Sequence, residues 1–171
     1  EFRRVLFRSA PKRIGLPEKK WKTGDSGKEK LLVCSEQGIG DEILYLSCLP
    51  DLLQDQTAIV VECDSRWKKL FERSFPSIKV VSRQVDYKEN NKIFYDYREV
   101  VAKNNIKSYV LNGDLPAVYR YSLNEPVRSK GYLKADPGRI KTFKYALNKI
   151  SKKTLVGICW RSAFSEPTPF I

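Results

Sequence analysis

Short apolar runs alternate with amphipathic stretches along the chain. Leu31-Leu32-Val33-Cys34 leads into Ser35-Glu36-Gln37-Gly38-Ile39-Gly40-Asp41-Glu42, and apolar character returns at Ile43-Leu44-Tyr45-Leu46. That order predicts a buried strand over about 31–35, a glycine turn, and a helix over about 41–53. Ile43, Leu44, Leu46, Leu49 and Leu53 are available for burial, and Pro50 interrupts the helix. Ala58-Ile59-Val60-Val61-Glu62-Cys63 reads as a second strand without alternation, as in a parallel sheet covered on both faces. Asp64 and Ser65 can cap a following helix, whose Trp67, Leu70 and Phe71 form a core stripe at helical spacing. Pro76 ends that unit, and Ile78-Lys79-Val80-Val81 is a third strand. Strand, helix, strand, helix, strand with right-handed crossovers gives an α/β fold with a Rossmann-like parallel sheet.

Farther on, Ile93–Tyr97 reads as a strand, Arg98–Lys103 as a short helix and Ser108–Leu111 as another strand. Asn112-Gly113-Asp114-Leu115-Pro116 is a turn, with Asp114 as a turn residue. Asp136-Pro137 starts a helix in which Ile140, Phe143, Leu147 and Ile150 recur at helical spacing. Val156-Gly157-Ile158-Cys159-Trp160 reads as a strand that opens a second domain. Residues 10–30, rich in Pro, Gly and Lys/Arg, read as a linker in which Trp21 is unexpected. The first nine residues look like an in-frame translation of a sequencing-library adapter, and the chain contains no methionine. The expected layout is therefore an artefact at 1–9, a linker at 10–30, a Rossmann-like domain at 31–150 and the start of a second domain at 151–171, the whole a piece of a longer reading frame.

Charge and composition narrow the chemistry. The formal net charge is +12, but residues 1–30 carry 10 Lys/Arg against 4 Asp/Glu, which is half of it. The rest is spread out and does not form the clustered basic face with interleaved aromatics of a nucleic-acid binder. There is no histidine, which excludes Ser-His-Asp and Cys-His catalysis and any His-ligated metal within the chain. A general base here is a carboxylate, a lysine or a tyrosine. Cys34, Cys48, Cys63 and Cys159 are far apart and mostly in apolar runs, which suits free thiols in a reducing, cytoplasmic setting. No stretch approaches the length of a transmembrane helix.

The glycine turn is the candidate site. Gly38 and Gly40 allow a tight turn and close approach of a ligand, and the helix start presents free N–H groups. Asp41 falls there as a cap or first-turn residue, its charged form favoured by the helix dipole. Two glycines are not a full G-x-G-x-x-G, yet Asp64, about 24 residues after Gly40, is placed to meet a ribose, so dinucleotide binding stays open.

Three stretches together carry a resemblance: Ser35-Glu36-Gln37-Gly38-Ile39-Gly40-Asp41 with Leu49-Pro50 downstream, Gly131-Tyr132-Leu133-Lys134-Ala135-Asp136-Pro137, and Val156-Gly157-Ile158-Cys159-Trp160-Arg161-Ser162. In this order the chain resembles the glycosyltransferase-like domain that follows tetratricopeptide repeats in bacterial proteins, related to the ADP-heptose lipopolysaccharide heptosyltransferases. The resemblance implies the N-terminal, acceptor-side half of a GT-B fold, truncated after the first strand of the donor-side domain. It implies an inverting, metal-independent transfer, with no cofactor, from a nucleotide-diphosphate sugar to a glycan or protein hydroxyl. Asp41 would be the catalytic base, and Glu36, Gln37, Gly38 and Gly40 would line the substrate. Arg161 and Ser162 would hold the donor diphosphate. Upstream repeats would bind protein partners, and this piece alone would be inactive. Departures are the eight residues between Asp41 and Pro50, more than in the heptosyltransferases, and the sequence after Ser162. The alternative is a Rossmann-like nucleotide- or partner-binding module without chemistry.

Overall fold

The computed structural model describes residues 12–25, 27–36, 38–83, 87–89, 92–120, 131–151 and 153–158. The chain divides into two compact units, Glu1–Lys134 and Ala135–Ile171.

The first unit is built on a four-stranded parallel sheet. Its strands are β2 (Leu31–Cys34), β3 (Ile59–Cys63), β4 (Lys79–Ser82) and β7 (Ser108–Leu111). Their order is β4-β3-β2-β7, with Leu31 opposite Ile59 and Ser108, and Val61 opposite Val80. The sheet grows outward from β2 through β3 to β4, then restarts on the other side of β2 with β7. That reversal is the arrangement of a doubly wound Rossmann-like fold, in which the crevice that takes a ligand lies outside the carboxyl ends of the strands at the switch point, here between β2 and β7. β2 and β3 are buried along their whole length, which is why both read as apolar runs without alternation.

Alternate side chains feed two cores. Leu31, Val33, Ile59, Val61 and Val110 face a layer made with Trp21, Leu46, Leu49, Leu52, Phe71 and Leu115. Leu32, Cys34 and Val60 face Tyr95, Tyr97 and Ile106. The covering helices are α1 (Ile39–Leu46), α2 (Leu49–Asp55), α3 (Lys68–Ser74), α4 (Arg98–Asn104) and α5 (Leu115–Tyr119). The helix expected over 41–53 is two helices. Pro50 sits in the first turn of α2, where its missing N–H costs nothing, and the break falls at Ser47-Cys48.

The stretch read as a linker carries more structure than a linker has. Lys12–Ile14 is a strand, β1, parallel to β6 (Lys92–Asp96), and β6 pairs antiparallel with β5 (Tyr87–Glu89) to make a second, three-stranded sheet. Downstream, the Trp21 N–H donates to Tyr109 O at 2.8 Å and the Tyr109 N–H to Lys19 O at 3.1 Å, so this segment closes the β7 edge. Trp21 is buried in the main core. Gly15 has φ +75°, and a Cβ there would lie 2.9 Å from the Arg98 amide nitrogen, so only glycine fits.

In the second unit, α6 (Pro137–Ile150) starts as its sequence requires: Asp136 accepts the Arg139 N–H at 2.9 Å, with Pro137 at the first helical position. The break between units falls before this helix rather than at 150. The strand expected over 156–160 is not formed in its described part, residues 156–158, with which no described strand pairs. Cys159 and Trp160 lie outside the described residues.

Candidate functional site

The crevice edge is a polar layer at the carboxyl ends of the parallel strands. Ser35 follows β2 directly and is fully buried. Its N–H donates to Glu62 Oε2 at 2.8 Å, and Tyr97 OH donates to the same oxygen at 3.0 Å. The Ser35 hydroxyl donates to Glu42 Oε1, and the Asp64 N–H donates to Glu42 Oε2 at 2.9 Å. Arg83, just past β4, closes the set: Nη2 is 3.1 Å from Glu42 Oε1, Nη1 donates to Ser35 Oγ at 3.3 Å, and the guanidinium lies 5.6 Å from the centre of the Tyr95 ring. Arg13 of β1 donates to Ser35 O at 3.0 Å and stands 4.0 Å from the Glu36 carboxylate. These bonds tie the ends of β2, β3 and β4 to one another and to the first turn of α1.

Burial drives the ionisation of this layer. It pushes the Glu62 carboxyl up to about 7, although the Ser35 N–H, the Tyr97 hydroxyl and the two guanidiniums favour the charged form. Burial raises the Tyr97 hydroxyl and the Cys34 thiol too, and takes the Cys63 thiol up to about 12. Cys34, Cys48 and Cys63 are buried free thiols, and such groups are inert.

Asp41 and Glu42 are consecutive, so about 100° of helix rotation separates them. Glu42 points inward and is wholly buried, while Asp41 is half-buried. Asp41 occupies the third helical position and Gly38 is the N-cap, whose N–H donates to Asp41 Oδ2 at 3.3 Å. A glycine has no side chain to return the favour, so this is half of a capping box. Gly38 has φ −86°, and the described glycines with positive φ are Gly15 and Gly24. The turn therefore does not demand glycine for its backbone angles. Nor does position 40 demand glycine for space, because a Cβ there would meet no described atom within 4 Å and would stand in the open.

The other wall is the 3-10 turn Asn112–Asp114, which follows β7 and packs against α1. The Glu36 N–H donates to Asn112 Oδ1 at 3.1 Å, joining the two loops. Lys20 lies 3.0 Å from Asp114. Glu36, Gly38, Gly40 and Asp41 thus gather at one rim, as their spacing indicates. Gln37, Arg161 and Ser162 lie outside the described residues. A groove of about 660 Å³ opens on the opposite face of the sheet, lined by Leu32, Glu62, Lys79, Val81, Tyr97 and Lys103 among others; Glu36, Gly38, Gly40 and Asp41 are not in its described lining.

Asp64, the candidate ribose residue, directly follows β3 with its carboxylate on a neighbouring cation. It accepts both Arg66 Nε and Nη2 at 2.9 Å, and that bond holds its carboxyl down to about 2. Sequence reasoning passed over Glu42, Glu62, Arg83, Tyr97 and Asn112. One signal was present: an acidic residue inside the otherwise apolar run 59–63 is not a natural occupant of a buried strand unless a partner awaits it.

The described residues contain no cluster of His, Cys, Asp and Glu able to hold a metal, and no helix long and apolar enough to cross a membrane. No family model matches the chain, and no solved structure does. The chain is similar to Protein FlbA of Caulobacter vibrioides, 25% identical over 154 residues. The match covers 88% of this chain and 26% of that protein, so the chain spans about a quarter of the relative it matches.

Proposed function

We propose that this chain is the acceptor-side half of a GT-B glycosyltransferase, an inverting and metal-independent enzyme that moves a sugar from a nucleotide-diphosphate donor to a glycan or protein hydroxyl. The observation that carries the reading is Asp41. Its carboxylate stands half-buried in the first turn of α1, at the switch point of the parallel sheet, beside the open space at Gly40. One oxygen, Oδ2, is held by the Gly38 N–H, which leaves Oδ1 for a substrate. In the reaction, Oδ1 takes the proton of the acceptor hydroxyl while that oxygen attacks the anomeric carbon. The bond from that carbon to the donor phosphate oxygen breaks, and the nucleoside diphosphate leaves from the opposite side. Arg161 and Ser162 are the donor-diphosphate residues of this reading, and the enzyme is cytoplasmic, with repeats upstream that bind protein partners.

The test uses the longer protein carrying this chain, assayed for hydrolysis and transfer across a panel of nucleotide-diphosphate sugars. Asp41→Asn keeps the oxygen on the Gly38 N–H and removes the base. Turnover falls about 10²–10⁴-fold, while stability changes by no more than about 1 kcal/mol. A variant with wild-type turnover overturns the assignment. The Gly38 contact also suits a non-catalytic nucleotide- or partner-binding module, in which Asp41 is a cap alone. In that case no donor is consumed and the substitution moves only stability.

A further inference from the structure

Glu62 uses one of its two carboxylate oxygens. Oε2 accepts both the Ser35 N–H and the Tyr97 hydroxyl, while Oε1 has no hydrogen bond or ion pair among the described residues. The residue is only 3% exposed, yet Oε1 is not sealed from solvent. Glu62 lines the groove of about 660 Å³ on the face of the sheet opposite α1. A buried carboxylate oxygen is costly to leave without a donor, so Oε1 is the acceptor this groove offers a ligand.

Register fixes what stands beside it. Lys79 pairs with Val60 and Val81 with Glu62. Side chains two apart share a face, so Val60, Glu62, Lys79 and Val81 stand together, with Lys79 one strand over and about 7 Å back along the strand. Val100, Lys103 and Glu99 of α4 line the groove as well. Among its cations, Lys68 pairs with Glu72 and Arg98 with Asp96. The exposed Lys79 and Lys103 have no ion pair among the described residues, and Glu99 is the carboxylate beside them. The groove thus combines a deep acceptor, apolar walls and two lysines at its mouth.

We infer that this groove binds a nucleoside phosphate, whose base donates an N–H to Glu62 Oε1 and packs on Val81 and Val100, and whose phosphate meets Lys79 and Lys103. The inference goes beyond the transfer reaction and uses no residue of the Asp41 crevice. A plain anion would set its charge against Glu62, and a plain amine would stand among four cations. A ligand with a donor at one end and an anion at the other suits both ends. A sugar phosphate has those ends but no apolar body for the two valines. The volume lies within the range of about 300–1,000 Å³ for small-molecule sites.

The experiment titrates the assigned ¹⁵N-labelled chain with the 5′-monophosphates of adenosine, guanosine, cytidine and uridine, with the four nucleosides, with ribose 5-phosphate and with inorganic phosphate. At least one nucleotide binds saturably and shifts the Val81 and Val100 amides, and ribose 5-phosphate, which lacks the base, binds at least about tenfold more weakly. Glu62→Gln keeps an oxygen for the Ser35 N–H and turns an NH₂ group toward the groove, where the base also presents a donor. Affinity then falls at least about tenfold. Lys79→Ala, at an exposed position, weakens the nucleotide about twofold to fivefold and leaves its nucleoside unchanged. If Glu62→Gln does not fold, Lys79→Ala and the wild-type shifts decide. The inference is overturned if no nucleotide binds, if the shifts centre on Gly40 and Asp41, if ribose 5-phosphate or phosphate binds as tightly as the nucleotide, or if folded Glu62→Gln keeps full affinity.

Discussion

Truncating Glu42 tests whether the polar layer under the crevice is structural. Its side chain has no solvent exposure and three partners: the Ser35 hydroxyl, the Asp64 N–H and Arg83. Glu42→Ala takes a partner from each of the three; Arg83 keeps Ser35 Oγ and stands 4.0 Å from the Asp64 carboxylate, but its side chain, only 14% exposed, has little water to replace what it loses. Breaking a buried ion pair from one side costs about 3–5 kcal/mol, a large share of the 5–15 kcal/mol or so that holds a typical domain together. Arg83→Met alone leaves a buried, unpaired carboxylate and is comparably costly. Glu42→Leu with Arg83→Met removes both charges at similar volume. What remains is the loss of partners for Ser35 and Asp64, about 1–3 kcal/mol. Urea unfolding followed by circular dichroism, with the slope compared between variants, measures each corner of the cycle. The double variant is more stable than the sum of the singles by at least about 1 kcal/mol. Strict additivity, or a Glu42→Ala cost under about 1 kcal/mol, refutes the argument that this pair pins the start of α1.

Two further outcomes follow from other parts of the fold. Trp21→Ala removes a large buried side chain from the main core and costs about 3–5 kcal/mol in the same assay; a midpoint unchanged from wild type returns residues 10–30 to linker status. For Glu62, burial raises the native carboxyl from 4.5 to about 7, so between these values the native state holds more protons than the unfolded state. Stability is therefore full below about 4.5 and declines as pH rises through 7, by about 3 kcal/mol at most. Glu62→Gln flattens that slope, and an unchanged pH profile in the variant refutes the assignment.

Much of the parallel sheet was legible because β2, β3, β4 and β7 are short apolar runs bounded by polar turns, and a strand buried on both faces leaves that trace. The division at Pro50 was legible for the same local reason. What escaped reading depends on residues distant in sequence. β1 is Lys12-Arg13-Ile14, which has the composition of a linker; it becomes a strand by pairing with residues 94–96, and Arg13 acts on Ser35, 22 positions away. Gly38 and Gly40 drew attention as turn glycines, yet the left-handed backbone belongs to Gly15 and Gly24 in the supposed linker. Glu62 was absorbed into an apolar strand, because its partners Ser35 and Tyr97 are 27 and 35 positions away.

The same rim carries two polar sets of opposite character, and the difference bears on function. Glu42 and Glu62 are buried with their described bonds directed inward, which is what a fold needs to hold the ends of β2, β3 and β4 in register with α1. Asp41 stands in the first turn of the helix those bonds fix, and its carboxylate has a single contact, to the Gly38 N–H. Under the proposed reading Asp41 is a base, and a base needs a mount that does not shift when the substrate arrives. The buried glutamates supply that mount, so on this reading a loss of turnover on disturbing Glu42 is a loss of position, not of contact.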